Sequence, residues 1–290
     1  MKERVISGIV MAAIVVGVLI LGSIVPLIFT VFLALLTAVC VYEVMWNTGS
    51  VRDIFALIWG MLYAVVIKFA YSGYIVFFGP AYTAHALSSY YNTLSSFTVT
   101  AITAIYMLGV IIISLFRHNT FGFKEIAVSF TVPVVLGFAF NGIEYLLGNF
   151  GHLFGFFLIF NFACMCDMGG YFVGRKIGRH KLAPIISPKK TIEGSIGGVT
   201  FSLVATAIIV ILYNKIGGYN YSLVRWLMVT PIFCIIGMIG DLFASAIKRS
   251  TGIKDFGNLI PGHGGIMDRL DSVLLISPCL MLFSRLGILI

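Results

Sequence analysis

Residues 245–271 read SAIKRSTGIKDFGNLIPGHGGIMDRLD, a polar stretch in a chain that is otherwise strongly apolar. Glycine recurs throughout it and Pro261–Gly262 is a turn dipeptide, so we expect a shaped loop over most of its length. Its charged and titratable residues are Lys248, Arg249, Lys254, Asp255, His263, Asp268, Arg269 and Asp271. Glycine-rich backbone, several cations and spaced carboxylates together predict a site that binds phosphate and metal.

The composition of the whole chain predicts where this site lies. Of its 290 residues, 60% are hydrophobic and 10% are charged. Soluble domains carry about 25% charged residues, so the composition excludes a soluble globular protein. The apolar runs have helix length and lack the alternation of a membrane barrel strand. We therefore predict an all-α, polytopic integral membrane protein, whose five cysteines are free thiols.

About nine apolar runs approach the length needed to cross the hydrocarbon core of a membrane. They cover residues 5–22, 24–45, 54–72, 97–116, 125–147, 152–174, 193–213, 225–247 and 270–290. The first run is expected to be a retained span and not a cleaved signal peptide, because it is long and a second run follows almost at once. The Tyr- and Ser-rich segment 73–96 is interfacial, re-entrant or a further span, and these options stay open.

The distribution of Lys and Arg predicts the orientation of the chain. With the N-terminus in the cytoplasm, most of the 19 Lys and Arg residues fall on the cytoplasmic side of the cell membrane. The exceptions are Lys68 within a span and, on the outer side, Lys215, Arg225 and Arg285. We predict a transmembrane scaffold over 1–150, which is also a candidate dimerisation region, and a catalytic membrane region over 151–290. The polar loops 167–193 and 245–271 of the second region then share the cytoplasmic face.

Three aspartates are candidate metal ligands. Asp241 lies near the C-terminal end of an apolar run, where the helix dipole and the membrane both disfavour a negative charge. It is either paired with a nearby Lys or Arg or bound to metal, and we favour metal. Asp268 and Asp271 open the last run three residues apart, on one helix face. Helix capping is the alternative for Asp268, for which we favour a ligand role, whereas for Asp271 both readings stay open.

Residues 187–194, SPKKTIEG, form a second polar motif. Lys189 and Lys190 precede a predicted helix start at Thr191, and a helix start beside cations suits an anion. The general excess of cytoplasmic cations and attraction to anionic lipids are the alternative explanation; we favour phosphate binding. Gly194 and Gly198 have the spacing of small residues that bring two helices into close contact.

The pattern from Ser245 to Asp271 resembles the C-terminal signature of phosphatidate cytidylyltransferases, also called CDP-diacylglycerol synthases. The block from Asp167 to Gly194, with SPKKTIEG inside it, is also similar to that family. The resemblance in specific motifs covers the second half of the chain, whereas residues 1–150 match only as a pattern of hydrophobic spans.

This resemblance implies an enzyme of phospholipid biosynthesis. The implied reaction is the transfer of CMP from CTP to phosphatidic acid, which gives CDP-diacylglycerol and pyrophosphate. The implied cofactor is Mg²⁺, with K⁺ as an option for a second ion. The expected partners are CTP, phosphatidic acid, membrane lipids and a second copy of the chain in a homodimer, and no nucleic acid is expected.

The resemblance also assigns roles to residues of this sequence. Asp241 and Asp268 are expected to hold metal, with Asp271 assisting. The residues expected to neutralise phosphates are Lys189, Lys190, Lys248, Arg249 and Arg269. Further expected substrate-binding residues are Asp167, Lys254, Gly264 and Gly265. His263 is expected to contact phosphate or to relay a proton, and it joins Asp241, Lys248, Arg249 and Asp268 in the expected catalytic set.

Three other functions fit the sequence less well. A CTP-dependent lipid kinase would share the setting but would need a general base for its hydroxyl acceptor. A CDP-alcohol phosphotransferase would carry a clustered aspartate motif that this sequence lacks. A transporter would use charges such as Lys68 and Asp241 along an ion path, but the sequence shows no internal repeat and its charges gather on one face.

Overall fold

The computed structural model describes residues 2–78, 85–119, 121–150 and 152–289. Its α-helices are α1 (Lys2–Ile24), α2 (Pro26–Tyr42), α3 (Ile54–Phe78), α4 (His85–Phe116), α5 (Phe123–Phe150), α6 (His152–Phe160), α7 (Cys166–Ile177), α8 (Ile192–Gly217), α9 (Leu223–Ser250), α10 (Met267–Leu270) and α11 (Val273–Arg285). Two π-helical segments, Glu43–Asn47 and Asn161–Met165, continue α2 and α6. A hairpin of β1 (Lys181–Ala183) and β2 (Ser187–Thr191) lies between α7 and α8. The predicted all-α class is confirmed.

Within the described ranges, eight helical segments are long and apolar enough to cross a membrane. They are Ile6–Ile24, Pro26–Asn47, Ile54–Tyr71, Thr98–Phe116, Phe123–Phe150, Leu153–Ile177, Ile192–Gly217 and Leu223–Ser250. The predicted span at 270–290 contains the shorter helix α11, whose 13 residues rise about 20 Å, less than the ~30 Å of a hydrocarbon core. A ninth crossing therefore stays a prediction.

The segment 73–96 is described only in part. Residues 73–78 end α3 and residues 85–96 begin α4, while 79–84 lie outside the described residues. The options of an interfacial, re-entrant or spanning segment stay open. All five cysteines are free, as predicted.

The chain forms two compact units. The first unit contains Met1–Asn141 and Ile253–Asp268, and the second contains Gly142–Gly252 and Arg269–Ile290. The polar stretch 245–271 is thus shared between the units, since its middle belongs to the first and its two ends to the second. The predicted functional division at residue 150 follows neither boundary and stays a prediction.

In the first unit, α3 packs against both α2 and α4. Trp59 on α3 donates its indole N–H to the carbonyl of Tyr106 on α4 at 3.0 Å. Tyr63, one turn further along α3, stacks on the Tyr106 ring at 4.3 Å between centroids. These aromatic contacts hold the two apolar helices together. The hydrophobic effect contributes little to this contact, because membrane lipid is as apolar as the helix surfaces.

In the second unit, α7 packs closely against α8, and glycine makes this approach possible. A Cβ atom at Gly194 would lie 2.7 Å from the carbonyl oxygen of Gly170. At Gly198 it would collide with the carbonyl of Cys166. The close helix packing predicted for Gly194 and Gly198 is confirmed, and the two helices run antiparallel, with Gly170 and Gly174 of α7 beside the first turn of α8.

Candidate active site

In the second unit, Lys190 lies between two carboxylates. Its Nζ atom is 2.5 Å from Oδ2 of Asp241 and 3.5 Å from Oδ1 of Asp167. Lys190 is on β2, Asp241 on α9 and Asp167 in the first turn of α7. The side chains of Lys190 and Asp241 are only 22% and 21% exposed. The Asp167 side chain is 50% exposed, so three distant parts of the sequence form an ion-pair cluster that is open on the Asp167 side.

The carboxylates keep Lys190 charged. Burial would lower the pKa of its ammonium, but the charges of Asp167 and Asp241 outweigh burial and raise this pKa above its usual value. Two carboxylates that hold an ammonium between them are also oriented to hold another cation. The cluster therefore places carboxylate oxygens and an ammonium group in direct contact.

A third carboxylate lies against this cluster. Burial, and then the neighbouring negative charge of Asp241, raise the pKa of Asp271 to about 7. The ammonium of Lys248, a buried residue on α9, acts in the opposite direction and lowers this pKa. Asp241 and Asp271 thus form a pair of like charges, and a cation bound between them would relieve their repulsion.

A polar cavity of about 250 Å³ adjoins the cluster. Its lining includes Asp167, Lys189, Lys190, Thr191, Gly194 and Asp241. Pockets for whole small molecules have volumes of about 300–1,000 Å³. The cavity is therefore large enough for a phosphate group or a part of a nucleotide, beside both cations and carboxylates.

The β-hairpin and the start of α8 position Lys190. SPKKT forms β2, and Thr191 is the N-cap of α8, whose Oγ1 accepts the N–H of Gly194 at 3.2 Å. Glu193, in the first turn of α8, accepts the N–H of Arg179 at 3.0 Å and contacts Nδ1 of His180 at 2.6 Å. The predicted helix start at Thr191 is confirmed, and these contacts anchor both ends of the hairpin.

Asp268 lies in the first unit, where its carboxylate holds the glycine-rich loop, Ile253–Asp268. Its Oδ2 atom accepts the backbone N–H of Phe256 at 2.7 Å and of Gly265 at 3.1 Å. The side chain is buried, and a Cβ atom at Gly264 would lie 3.2 Å from the same oxygen. Of the predicted site residues, Asp268 thus binds Gly265 directly and lies next to Gly264, and the metal role of Asp268 stays a prediction.

The predicted turn precedes these glycines. Pro261 and Gly262 form its corner, with the N–H of His263 donated to the carbonyl of Ile260 at 2.9 Å. Gly262 has a φ of +74°, which a turn with proline before glycine requires. Nδ1 of His263 lies 2.8 Å from the Ser7 hydroxyl. The loop is as predicted, whereas a phosphate or proton-relay role for His263 stays a prediction.

Sequence reasoning missed Glu43, which is 2% exposed and begins the π-helical segment after α2. Its Oε1 accepts the N–H of Ile266 at 3.0 Å, and its Oε2 accepts that of Met267 at 2.8 Å. An acid in an apolar run is costly, and this cost was a signal that could have found it. Nothing in the sequence indicated its partners, which follow more than 220 residues later.

The remaining predicted cations lie on exposed surfaces. Lys189 is exposed beside the cavity of the second unit, Arg249 ends α9 and Arg269 lies in α10. Lys254 is exposed in the loop of the first unit. Their accessibility suits contacts with an anionic ligand, and their individual phosphate roles stay predictions.

No group of three or more His, Cys, Asp or Glu side chains is arranged to hold a metal ion in the part of the chain that the structure describes. Mg²⁺ is usually held by one or two carboxylates together with water and substrate phosphates. The neighbouring Asp241 and Asp271 offer such a pair of oxygen ligands. The second unit therefore fits a Mg²⁺ ion shared with a phosphate ligand better than one enclosed by protein alone.

Comparison with known proteins shows which sequences resemble this chain. The sequence profile described as the cytidylyltransferase family matches residues 2–286. A Staphylococcus saprophyticus protein named phosphatidate cytidylyltransferase is 36% identical over 170 residues, which cover 56% of this chain and 60% of the relative. A Bacillus subtilis protein of the same name is 38% identical over 168 residues, covering 56% and 59%. The alignments thus span about three fifths of the length of these relatives.

Proposed function

This chain belongs to the cytidylyltransferase family, and we propose on that basis that it transfers CMP from CTP to phosphatidic acid in a Mg²⁺-dependent reaction. The products are CDP-diacylglycerol and pyrophosphate. The relatives named phosphatidate cytidylyltransferase and the charged cavity of the second unit support this proposal.

The observation that carries the proposal is the position of Lys190 between Asp167 and Asp241, beside a polar cavity. Ionised groups within a membrane protein carry a large free-energy cost and usually mark a functional site. This cluster combines cations for phosphates with carboxylates for a metal. An ion path would need charges along the membrane depth, whereas these charges gather where α7, β2 and α9 meet.

The proposed reaction needs little from a protein beyond binding and charge neutralisation. An oxygen of the phosphatidate phosphate attacks the α-phosphorus of CTP and forms a new P–O bond. The bond from that phosphorus to the bridging oxygen of the β-phosphate breaks, and its electron pair leaves with pyrophosphate. Because the attacking phosphate is already anionic, no side chain has to remove a proton from it. The protein must bring two polyanions together and stabilise the leaving group.

The residues of the second unit suit these tasks. Lys189 and Lys190 lie beside the N-terminus of α8, and the cations and helix dipole there favour a phosphate group. Asp241 and Asp271 would hold Mg²⁺, which when bound neutralises charge on the phosphates. Lys248 would balance these carboxylates in the absence of a substrate. Arg249, Arg269 and Asp268 keep the roles predicted from the sequence.

We further propose that the reaction takes place at the cytoplasmic face of the cell membrane. The excess of Lys and Arg on one side of the predicted topology supports this orientation. A site at the interface would admit a lipid headgroup from the membrane and a nucleotide from water. The homodimer and the second ion rest on the family resemblance alone. Mass photometry of the purified protein would test the dimer.

Transfer of label from CTP to lipid tests the proposed function. Purified protein would receive phosphatidic acid and Mg²⁺ with CTP labelled at either the α- or the γ-phosphate. The proposal predicts that α-label enters the organic phase and γ-label stays in water as pyrophosphate. Transfer of γ-label to lipid would instead identify a kinase. No transfer of either label by folded protein would contradict both reactions and favour a transporter.

A further inference from the structure

We propose that Glu43 is a positioning residue for the reaction proposed above, on which this inference rests. Its carboxylate is buried in the first unit and accepts the backbone N–H groups of Ile266 and Met267 at 3.0 and 2.8 Å. Both carboxylate oxygens are thus used to hold the chain directly before Asp268. The residue lies in a π-helical segment, a local irregularity that often marks functional sites.

The glycine-rich loop is shaped around this carboxylate. A Cβ atom at Gly257 would collide with Oε1 of Glu43, and one at Gly265 would collide with both carboxylate oxygens. Two positions of the loop therefore need glycine because Glu43 occupies the adjacent space. Asn47, at the end of the same π-helical segment, donates its Nδ2–H to the carbonyl of Phe256 at 2.7 Å. One short helical segment thus holds the loop from two sides.

The contact reaches Asp268 through the backbone. Met267, whose N–H binds Glu43, is the first residue of α10, and Asp268 follows it. Asp268 in turn accepts the N–H groups of Phe256 and Gly265. Asp268 therefore joins Phe256 to Gly265, and Glu43 holds the two residues that follow Gly265. Moving Glu43 would shift Asp268 and the neighbouring turn.

The chemistry of the contact distinguishes a carboxylate from its closest isostere. A glutamine at position 43 would keep the shape of the side chain, but one of its terminal atoms would be an N–H donor. That donor would face a backbone N–H, so one of the two hydrogen bonds would be lost and replaced by a repulsive contact. Glu43→Gln therefore loosens the loop without opening a cavity.

The proposed roles of the two sets of residues, phosphate binding in the second unit and reaction in the loop, predict which kinetic constant changes in Glu43→Gln. The cations proposed to bind the phosphates of CTP, Lys189 and Lys190, belong to the second unit, so the KM for CTP should change less than kcat even though the loop contains predicted substrate-binding residues. The loop residues Asp268 and His263, which are predicted to take part in the reaction, would be misplaced. A misplacement of this kind lowers kcat, and small displacements of catalytic groups cost up to about 10²-fold.

The experiment compares Glu43→Gln with Glu125→Gln in full-length, detergent-purified protein. Glu125 is a matched control because its exposed carboxylate also accepts one backbone N–H, that of Gly122 at 3.0 Å. Hydrogen–deuterium exchange of residues 253–268 and kcat per folded molecule would be measured for each variant. We expect faster exchange and a kcat lowered by about tenfold or more in Glu43→Gln, with KM for CTP within about threefold of wild type. Glu125→Gln should change neither.

Two outcomes for Glu43→Gln would overturn the proposal. The first is unchanged hydrogen–deuterium exchange of residues 253–268. The second is faster exchange with an unchanged kcat per folded molecule, because the contact would then be structural only. If Glu43→Gln did not fold, Gly265→Ala would apply the same test from the side of the loop, because its Cβ would collide with the same carboxylate. If wild-type protein turned over no CTP, the proposed function would fail. The contact between Glu43 and the loop would then be judged from the exchange data alone, with faster exchange in Glu43→Gln supporting it and unchanged exchange contradicting it.

Discussion

The ammonium of Lys190 lies 2.5 Å from a carboxylate oxygen of Asp241, so a β-hairpin and a membrane helix meet at a single charge pair. The ion pair confirms one of the two readings of Asp241 that the sequence left open, and its role as a metal ligand stays a prediction. The carboxylate is paired with a lysine, and it also faces the carboxylate of Asp271. In the proposed reaction, the same oxygen atoms would exchange part of their interaction with Lys190 for a metal ion when a nucleotide binds.

Removal of the Lys190 charge should strongly impair transfer. In Lys190→Met, the carboxylates of Asp167 and Asp241 lose the cation between them and the proposed phosphate contact disappears. Loss of one group that stabilises developing charge costs about 10²-fold or more in kcat. Lys181→Met, which removes an exposed charge from the neighbouring strand, should leave kcat near wild type. Equal activities of the two variants would show that Lys190 has no special role.

The requirement for Mg²⁺ should depend on Asp271. Asp271→Asn keeps the shape of the side chain but weakens the proposed ligand pair with Asp241, so the Mg²⁺ concentration for half-maximal activity should rise about tenfold or more. Activity would be titrated with Mg²⁺ after treatment with EDTA. Asp255→Asn, in the exposed part of the polar loop, serves as the control. An unchanged Mg²⁺ requirement in Asp271→Asn would exclude this residue as a ligand.

The contact between α7 and α8 should not tolerate a methyl group at position 194. The added Cβ of Gly194→Ala would lie 2.7 Å from a backbone oxygen of Gly170, which cannot move without the helix. Overpacking of this kind destabilises proteins by about 1–3 kcal/mol, and thermal unfolding in detergent would detect the change. Gly148→Ala is the matched control, since a Cβ there has no neighbour within 4 Å. A Tm as high in Gly194→Ala as in Gly148→Ala would contradict the packing.

The cap of α8 should contribute to stability in its own right. Thr191→Ala removes the oxygen that accepts the N–H of Gly194, and loss of an N-cap costs about 1 kcal/mol. Thr191→Ser keeps this oxygen and should lie within a few tenths of a kcal/mol of wild type. Denaturant or thermal unfolding of both variants measures the difference. If the two substitutions were equally destabilising, the methyl group and not the cap would account for the loss.

Much of the fold and of the charged motifs could be predicted from local signals. Long apolar runs indicated the membrane helices, and Thr191 indicated where α8 begins. The strand formed by SPKKT was not predicted, because proline and lysine disfavour strands. It forms because the chain must turn back within a short distance between α7 and α8, where β1 offers a partner.

The parts of the site that could not be predicted depend on contacts between distant residues. The chemistry of Lys190 and Asp241 was evident from their positions in the sequence, whereas their direct pairing was not. Glu43 shows the limit most clearly, since its cost in an apolar run was visible but its backbone partners near Asp268 were not. Only the folded chain shows that one carboxylate oxygen of Asp268 accepts hydrogen bonds from two backbone N–H groups.

Pyrophosphate release by Asp241→Asn tests the central claim most directly. Purified wild-type protein, Asp241→Asn and Asp53→Asn would be compared with CTP, with and without phosphatidic acid and Mg²⁺. Asp53 is a matched control because its carboxylate also pairs with a cation, Arg117, at 3.5 Å. We expect lipid- and Mg²⁺-dependent release from wild type and Asp53→Asn, and a loss of about 10²-fold or more in folded Asp241→Asn. Release at the wild-type rate from Asp241→Asn would contradict the assignment of the Lys190–Asp241 cluster as the active site.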